Sequence, residues 1–135
     1  MAIAALAIAL LSAPAAAAAP ISLNDNAYLR LLHRRGAVLV EQGNAYGQAR
    51  GRLTCRLRLG RYLTGTFQLS SGGLLTGVLS ANRHRGRGGF ESFGGSAAVV
   101  GRSGRFRRLR GTIAVYGVLD RRNGAVVLQL RGAIG

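Results

Sequence analysis

Lysine and tryptophan are absent from this 135-residue sequence, and Cys55 is its only cysteine. A lone thiol excludes an internal disulfide, so no covalent staple holds the chain. Its place in the alternating run Leu53, Cys55, Leu57, Leu59 reads as a buried, inert side chain rather than a reactive thiol. Acids are nearly as scarce, with Asp25, Glu41, Glu91 and Asp120 making up all four. Catalysis by paired carboxylates needs two of them to converge. Glu41 and Glu91, on or near strands, are the candidate pair for lining a pocket; the competing reading gives each a surface ion pair with a neighbouring arginine. His33 and His84 lie among arginines, a setting that disfavours a bound cation, and neither a metal nor a cofactor is expected. Gly101-x-x-Gly104 lacks a third spaced glycine and precedes no helix, so a phosphate-loop reading fails on context. No catalytic constellation emerges.

What the chain has instead is arginine: all 19 of its strong bases, for a formal net charge of +15. Exclusive arginine suits planar, bidentate contacts to phosphate or carboxylate. A GC-rich coding bias in a chain this heavy in alanine and glycine accounts for it equally well. Either way such a charge favours anionic polymers or anionic membrane surfaces as partners and does not specify a fold. The apolar content is 48%, yet aromatics make up only 6%, so any core is built from small aliphatic increments. The length allows one ordinary core and one domain.

The run Ala2 to Leu11 is apolar without interruption and is followed by Ser12, Ala13, Pro14 and the small residues Ala15 to Ala19. This reads as the hydrophobic region and cleavage zone of a signal peptide over 1–19, and hence as a signal helix ahead of a secreted or cell-envelope protein. Small residues at Ala13 and Ala15, or at Ala16 and Ala18, satisfy an A-x-A rule, although no basic residue precedes the run. As a spanning anchor the segment is short and alanine-weak against the ~20 apolar residues a bilayer requires.

Residues 20–35 read as an irregular lead-in, because Asn24, Asp25 and Asn26 precede Tyr28, Leu29, Leu31 and Leu32 at a spacing that suits a short helical turn. From Gly36 onward the pattern is that of strands, with short apolar runs separated by glycine-bearing turns roughly every ten residues, as in an all-β barrel or sandwich over 36–135. Leu53, Cys55, Leu57 and Leu59 share one face while Thr54, Arg56 and Arg58 share the other. Leu63, Gly65, Phe67 and Leu69 repeat the arrangement, as do Leu75, Gly77, Leu79 and Ala81. Ala45 to Leu59 reads as one bent strand or two, Asn82 to Gly89 as a polar loop, and Phe90–Phe93 and Ser96–Gly101 as separate short strands. Gly111–Leu119 and Gly124–Arg131 form a hairpin around Asp120 to Gly124, whose Asn-Gly end suits positive φ. Glycines at Gly65, Gly77 and Gly117 fall mid-strand, where barrel curvature supplies a reason for them.

Val99-Val100-Gly101-Arg102-Ser103-Gly104-Arg105-Phe106, followed by Leu109-Arg110-Gly111, resembles the glycine-rich segment of dirigent proteins and their allene oxide cyclase-like relatives. Phe93-Gly94-Gly95-Ser96 extends the likeness upstream, and Arg102 departs from it by replacing a usual glycine. The same ending is similar to that of small exported bacterial β proteins of unassigned role. The resemblance covers about the last third of the chain and implies an antiparallel barrel of about eight short strands with an interior pocket, an architecture the strand pattern also supports. It transfers no activity, since the acidic and polar pocket residues of dirigent proteins have no match here.

Two arginine clusters are the candidate anion-binding residues: Arg83, Arg85 and Arg87 in the 82–89 loop, and Arg102, Arg105, Arg107, Arg108 and Arg110 around the glycine turn. The expected function is a secreted or envelope-associated, non-enzymatic β-barrel that binds a ligand or an anionic surface. Two alternatives are a dirigent or cyclase-like protein steering the reaction of a small hydrophobic substrate, and nucleic-acid binding through the arginine clusters. The charge alone favours salt-sensitive nucleic-acid binding in vitro, but teichoic acid, lipopolysaccharide or anionic phospholipid suits an exported protein better than nucleic acid does.

Overall fold

A computed structural model describes residues 19–135. Their chain order is β1 (Ile21–Arg35), β2 (Val38–Tyr46), β3 (Gly51–Leu59), β4 (Leu63–Ser70), β5 (Leu74–Arg85), β6 (Phe90–Gly101), a single 3-10 turn (Gly104–Phe106), β7 (Arg110–Asp120) and β8 (Val126–Ile134). Each strand pairs antiparallel with the next, and β8 returns to β1, so the eight strands close an up-and-down barrel. The all-β antiparallel barrel expected from the sequence is the fold observed. The signal helix expected over 1–19 lies almost wholly outside the described residues.

Strict alternation drives closure. Apart from the acids Asp25, Glu41 and Glu91 and a few glycines, the inward positions are mostly apolar, and a single buried cluster runs from Leu23 on β1 to Ile134 on β8. The outward positions are mostly threonine, serine, asparagine, glutamine and arginine, including Arg52, Arg56 and Arg58 on β3, with Tyr28, Tyr46, Val78, Tyr116, Val118 and Val127 exposed among them. Apolar inside and polar outside is the reverse of the pattern that lipid-facing barrels require. Cys55 is fully buried in this interior as a free thiol.

The mid-strand glycines have two separate causes. An inward Cβ at Gly77 would sit 2.3 Å from the Phe67 ring of β4, and one at Gly117 would sit 2.2 Å from the Phe93 ring of β6. These glycines give each ring the floor it lies on, which lets a chain poor in aromatics pack the two strand rings that it buries. At Gly65 the obstacle is backbone: a Cβ would approach the Arg56 carbonyl oxygen to 2.3 Å, a consequence of the tight coiling of β3 against β4.

Three sequence-based boundaries are corrected. Residues 20–35 are not an irregular lead-in: Ile21–Arg35 is the longest strand, pairing with β8 through Ile21–Leu29 and with β2 through Asn26–Arg35. A register shift between Leu31 and His33 accommodates the Leu31-Leu32 doublet that imitates helical spacing. Second, β5 continues through Arg85, so the polar loop shrinks to 86–89, because Asn82–Arg85 find backbone partners on Glu91–Gly94. Third, Phe90–Gly101 is one unbroken strand across Gly94-Gly95, and Ala45–Leu59 is two strands separated by a turn at 47–50.

Candidate functional site

An up-and-down barrel sends successive connections to alternate ends. The β1–β2, β3–β4, β5–β6 and β7–β8 turns lie at one end; the β2–β3, β4–β5 and β6–β7 connections lie at the other with both chain termini. The two arginine clusters occupy consecutive connections and therefore stand at opposite ends of the molecule.

The end holding the β6–β7 connection is plugged. Phe106 and Leu109 of that connection are buried, and Ala49 of the β2–β3 turn is fully buried beside them in the core. The Ala49 amide donates to both carboxylate oxygens of the inward-facing Asp25, at 3.1 and 3.0 Å, and the Asn24 amide donates to Oδ1 at 3.2 Å. The β4–β5 and β6–β7 connections interlock: the Arg105 amide donates to the Gly72 carbonyl at 3.0 Å, and the Leu74 amide to the Ser103 hydroxyl at 3.1 Å. Arg102 donates to the Thr76 hydroxyl, and Arg105 donates to the Gln48 carbonyl while stacking over Phe106. Arg107, Arg108 and Arg110 make no side-chain hydrogen bond among the described residues and project from the plug. Arg108 sits at φ 67°, the one positive-φ residue other than glycine among those described.

The opposite end is open. A depression of about 300 Å³ lies between Leu39, Leu59 and Leu119, the last inward side chains of β2, β3 and β7, and a rim that includes Arg34, Arg121 and Arg122. Arg122 is committed elsewhere, bidentate to Asp120 at 3.0 and 3.1 Å and stacked over Phe90. Arg34 uses only Nε, on the Gly36 carbonyl, and the Arg121 side chain has no partner among the described residues. Both therefore present guanidinium N–H groups over an apolar floor.

The two candidate pocket acids do not form a pair. Glu91 is buried and held by Arg83 through both carboxylate oxygens, and the same guanidinium also donates to the Gly60 carbonyl, tying β5 and β6 to the β3–β4 turn. The Arg83 hydrogen bond, outweighing desolvation, holds the Glu91 carboxyl below the usual carboxylate range, with Arg121 and Arg85 adding to it. The Arg83 guanidinium is thus engaged by Glu91 and the Gly60 carbonyl, while Arg85 and Arg87 remain on the exposed rim. Glu41 is fully buried and neither oxygen has a hydrogen-bond partner. It faces inward from β2, paired with Leu31 on β1 and Cys55 on β3. Burial pushes its carboxyl up to about 7, and burial together with the Glu41 charge pushes the Cys55 thiol up to about 12. That thiol does not serve as a nucleophile near neutral pH.

Only two ion pairs form, Arg83–Glu91 and Arg122–Asp120, so seventeen of the 19 arginines lack an acid partner among the described residues. No group of His, Cys, Asp and Glu able to hold a metal ion occurs among the described residues. Sequence reasoning missed Arg34, Arg121 and Arg122 as rim residues. Arg34 lay in the stretch read as irregular, and the other two lay in the turn of a hairpin read for its geometry alone.

The fold and this site define a closed, aliphatic-cored antiparallel barrel with one plugged and one open, arginine-rimmed end. No family model, no curated protein and no solved structure matches the chain.

Proposed function

We propose that this chain is an exported, non-enzymatic binding barrel whose open end takes the anionic group of an amphiphilic ligand. The observation that carries the reading is the pairing of an apolar floor, Leu39, Leu59 and Leu119, with two guanidinium groups, Arg34 and Arg121, that have no acid to satisfy them. A carboxylate or phosphate at the rim gains charge-assisted hydrogen bonds, and a short hydrocarbon segment covers the leucines. Export is supported by the apolar N-terminal run ending in small residues.

A second reading, a dirigent or cyclase-like protein that steers a small hydrophobic substrate, draws on the inward, partnerless Glu41. It requires an enclosed chamber, and the interior positions here are filled by leucine, valine, isoleucine and phenylalanine. The binding reading therefore takes precedence. The experiment is calorimetric titration of decanoate into the wild-type protein and into Arg34→Gln/Arg121→Gln. Binding weakened about tenfold or more in the double variant supports the reading; equal affinities, or no binding to either, overturn it.

A further inference from the structure

A buried carboxyl without a partner is among the more expensive things a core can contain, and native interiors satisfy nearly all their polar groups. Three acids face the interior of this barrel. Asp25 is satisfied by the Ala49 amide and Glu91 by Arg83, while Glu41 has nothing. Its position suggests why. Leu39, two residues earlier on the same inward face of β2, lines the open-end depression, so Glu41 lies about 7 Å deeper along the strand.

One partly buried side chain touches both the depression wall and the register position of Glu41. Leu31 is the register partner of Glu41 on β1, is only partly buried, and packs against Gly124 of the depression wall so closely that a Cβ there would lie 2.7 Å from its Cδ2. A ligand tail that reaches the carboxyl must therefore displace the Leu31 side chain, and needs no wider chamber inside the filled core.

The geometry points to Glu41 as the inner anchor of the ligand site, hydrogen-bonding a neutral oxygen, hydroxyl or carbonyl, carried on the tail of an anionic amphiphile whose charged group rests at the rim. This rests on the binding reading above and adds the class of ligand. A cationic group as the Glu41 partner is disfavoured by the route, since it must pass Arg34 and Arg121, two of the seventeen arginines without an acid partner among the described residues. An anionic group at that depth would face the Glu41 carboxyl itself. A neutral oxygen suits both ends of the path, because a protonated carboxyl donates one hydrogen bond and accepts another. Desolvation, which favours the protonated form of Glu41 at and below neutral pH, agrees with this.

The test compares decanoate with a decanoate hydroxylated at mid-chain, titrated at pH 6 into wild type, Glu41→Gln and Glu41→Leu. Wild type is expected to bind the hydroxylated probe about tenfold more tightly than decanoate. Glu41→Gln, which keeps both hydrogen-bonding functions and the shape, retains most of that preference. Glu41→Leu loses it while still binding decanoate, with an unchanged β-sheet circular dichroism spectrum as the folding control. Equal affinity of wild type for the two probes, or a preference that survives in Glu41→Leu, overturns the inner anchor. In those cases decanoate binding sensitive to Arg34 and Arg121 would leave the rim reading standing. Failure of both probes to bind wild type removes the two readings together.

Discussion

The two ends of this barrel are both rich in arginine and are built on different principles. At the plugged end, connections fold inward and interlock through backbone, with Asp25 and Ser103 satisfying amides and Phe106 sealing the interior. At the open end the turns stay short and none folds into the core; backbone bonds from Arg121 to Gly89 and from Leu59 to Ala37 link them, and the Arg83 bridge to Glu91 and Gly60 adds a side-chain tie. The plugged end therefore resists change in the backbone, whereas the open end keeps guanidiniums and leucines that can rearrange around a ligand. Charge follows neither principle, which is why arginine content alone does not distinguish a binding end from a sealing end.

Glycine substitution breaks the comparison most severely. Gly36 in the β1–β2 turn and Gly104 in the plug adopt almost the same left-handed backbone, φ 59° and 58°. A Cβ at Gly36 meets nothing within 4 Å, while at Gly104 it would lie 2.1 Å from the Gly72 carbonyl oxygen and 2.6 Å from the Gly73 Cα. Gly36→Ala is expected to cost about 1 kcal/mol, the strain of a left-handed alanine. Gly104→Ala is expected to cost about 4 kcal/mol, because backbone must move as well. Denaturant midpoints measure both; near-equal losses would mean that the plug is not interlocked.

The interior acids sharpen the contrast at the next level. Glu41 keeps its proton in the folded state up to about pH 7, whereas an unfolded glutamate releases it near 4.5. Between those values the folded protein binds more protons than the unfolded one, so stability falls as pH rises and levels off above the folded value. The span corresponds to about 3 kcal/mol lost between pH 5 and pH 8.5. Glu41→Leu should remove that slope and exceed wild type at pH 8.5 in urea melts. A wild-type curve that is flat across this window would show that Glu41 has a partner in solution.

Glu91 behaves in the opposite sense. Arg83 holds its pKa below the ordinary range, so its contribution is present above about pH 4.5 and is lost as pH falls through the folded value. Arg83→Ala leaves a buried carboxylate with only the more distant Arg85 and Arg121, a loss of about 2 kcal/mol at pH 7. The difference from wild type should shrink toward pH 3, where Glu91 is protonated in both proteins. A penalty independent of pH would assign the role of Arg83 to its bond with Gly60 and to packing.

Much of this fold was legible because a barrel wall is written locally. Leu53-Cys55-Leu57, Leu63-Phe67-Leu69 and Leu75-Leu79-Ala81 all face inward as their alternation requires. The first strand was not legible, since Asn24-Asp25-Asn26 has the composition of a turn and Leu31-Leu32 breaks the period of two. Its strand character comes from β2 and β8, more than a hundred residues apart in pairs such as Ile21 with Ile134. The site was legible only in part. Arginine on connections could be read directly, but the opposite placement of the two clusters follows from strand order, and the commitment of Arg83 to Glu91 follows from β5 running on past Ala81. Glu41 carried a usable signal in sharing the parity of Leu39, yet nothing local indicates that it lacks a partner.

The smallest effect asked for is a difference between surfaces of equal charge. Arg34→Gln/Arg121→Gln and Arg107→Gln/Arg108→Gln each remove two positive charges, the first pair from the open rim and the second from the plug. Adsorption to a polyanion depends on the number of cations that displace counterions, so the two variants should elute from heparin at salt concentrations lower than wild type by similar amounts. Decanoate affinity depends on where the cations stand, and should be changed by less than about twofold in the plug variant, because exposed charges more than a Debye length away are screened at physiological salt. An equal loss of decanoate binding in both variants would reduce the open end to one more patch of a uniformly basic surface. Retention of heparin binding that collapses at moderate salt in every variant would likewise assign nucleic-acid affinity to charge and not to a dedicated site.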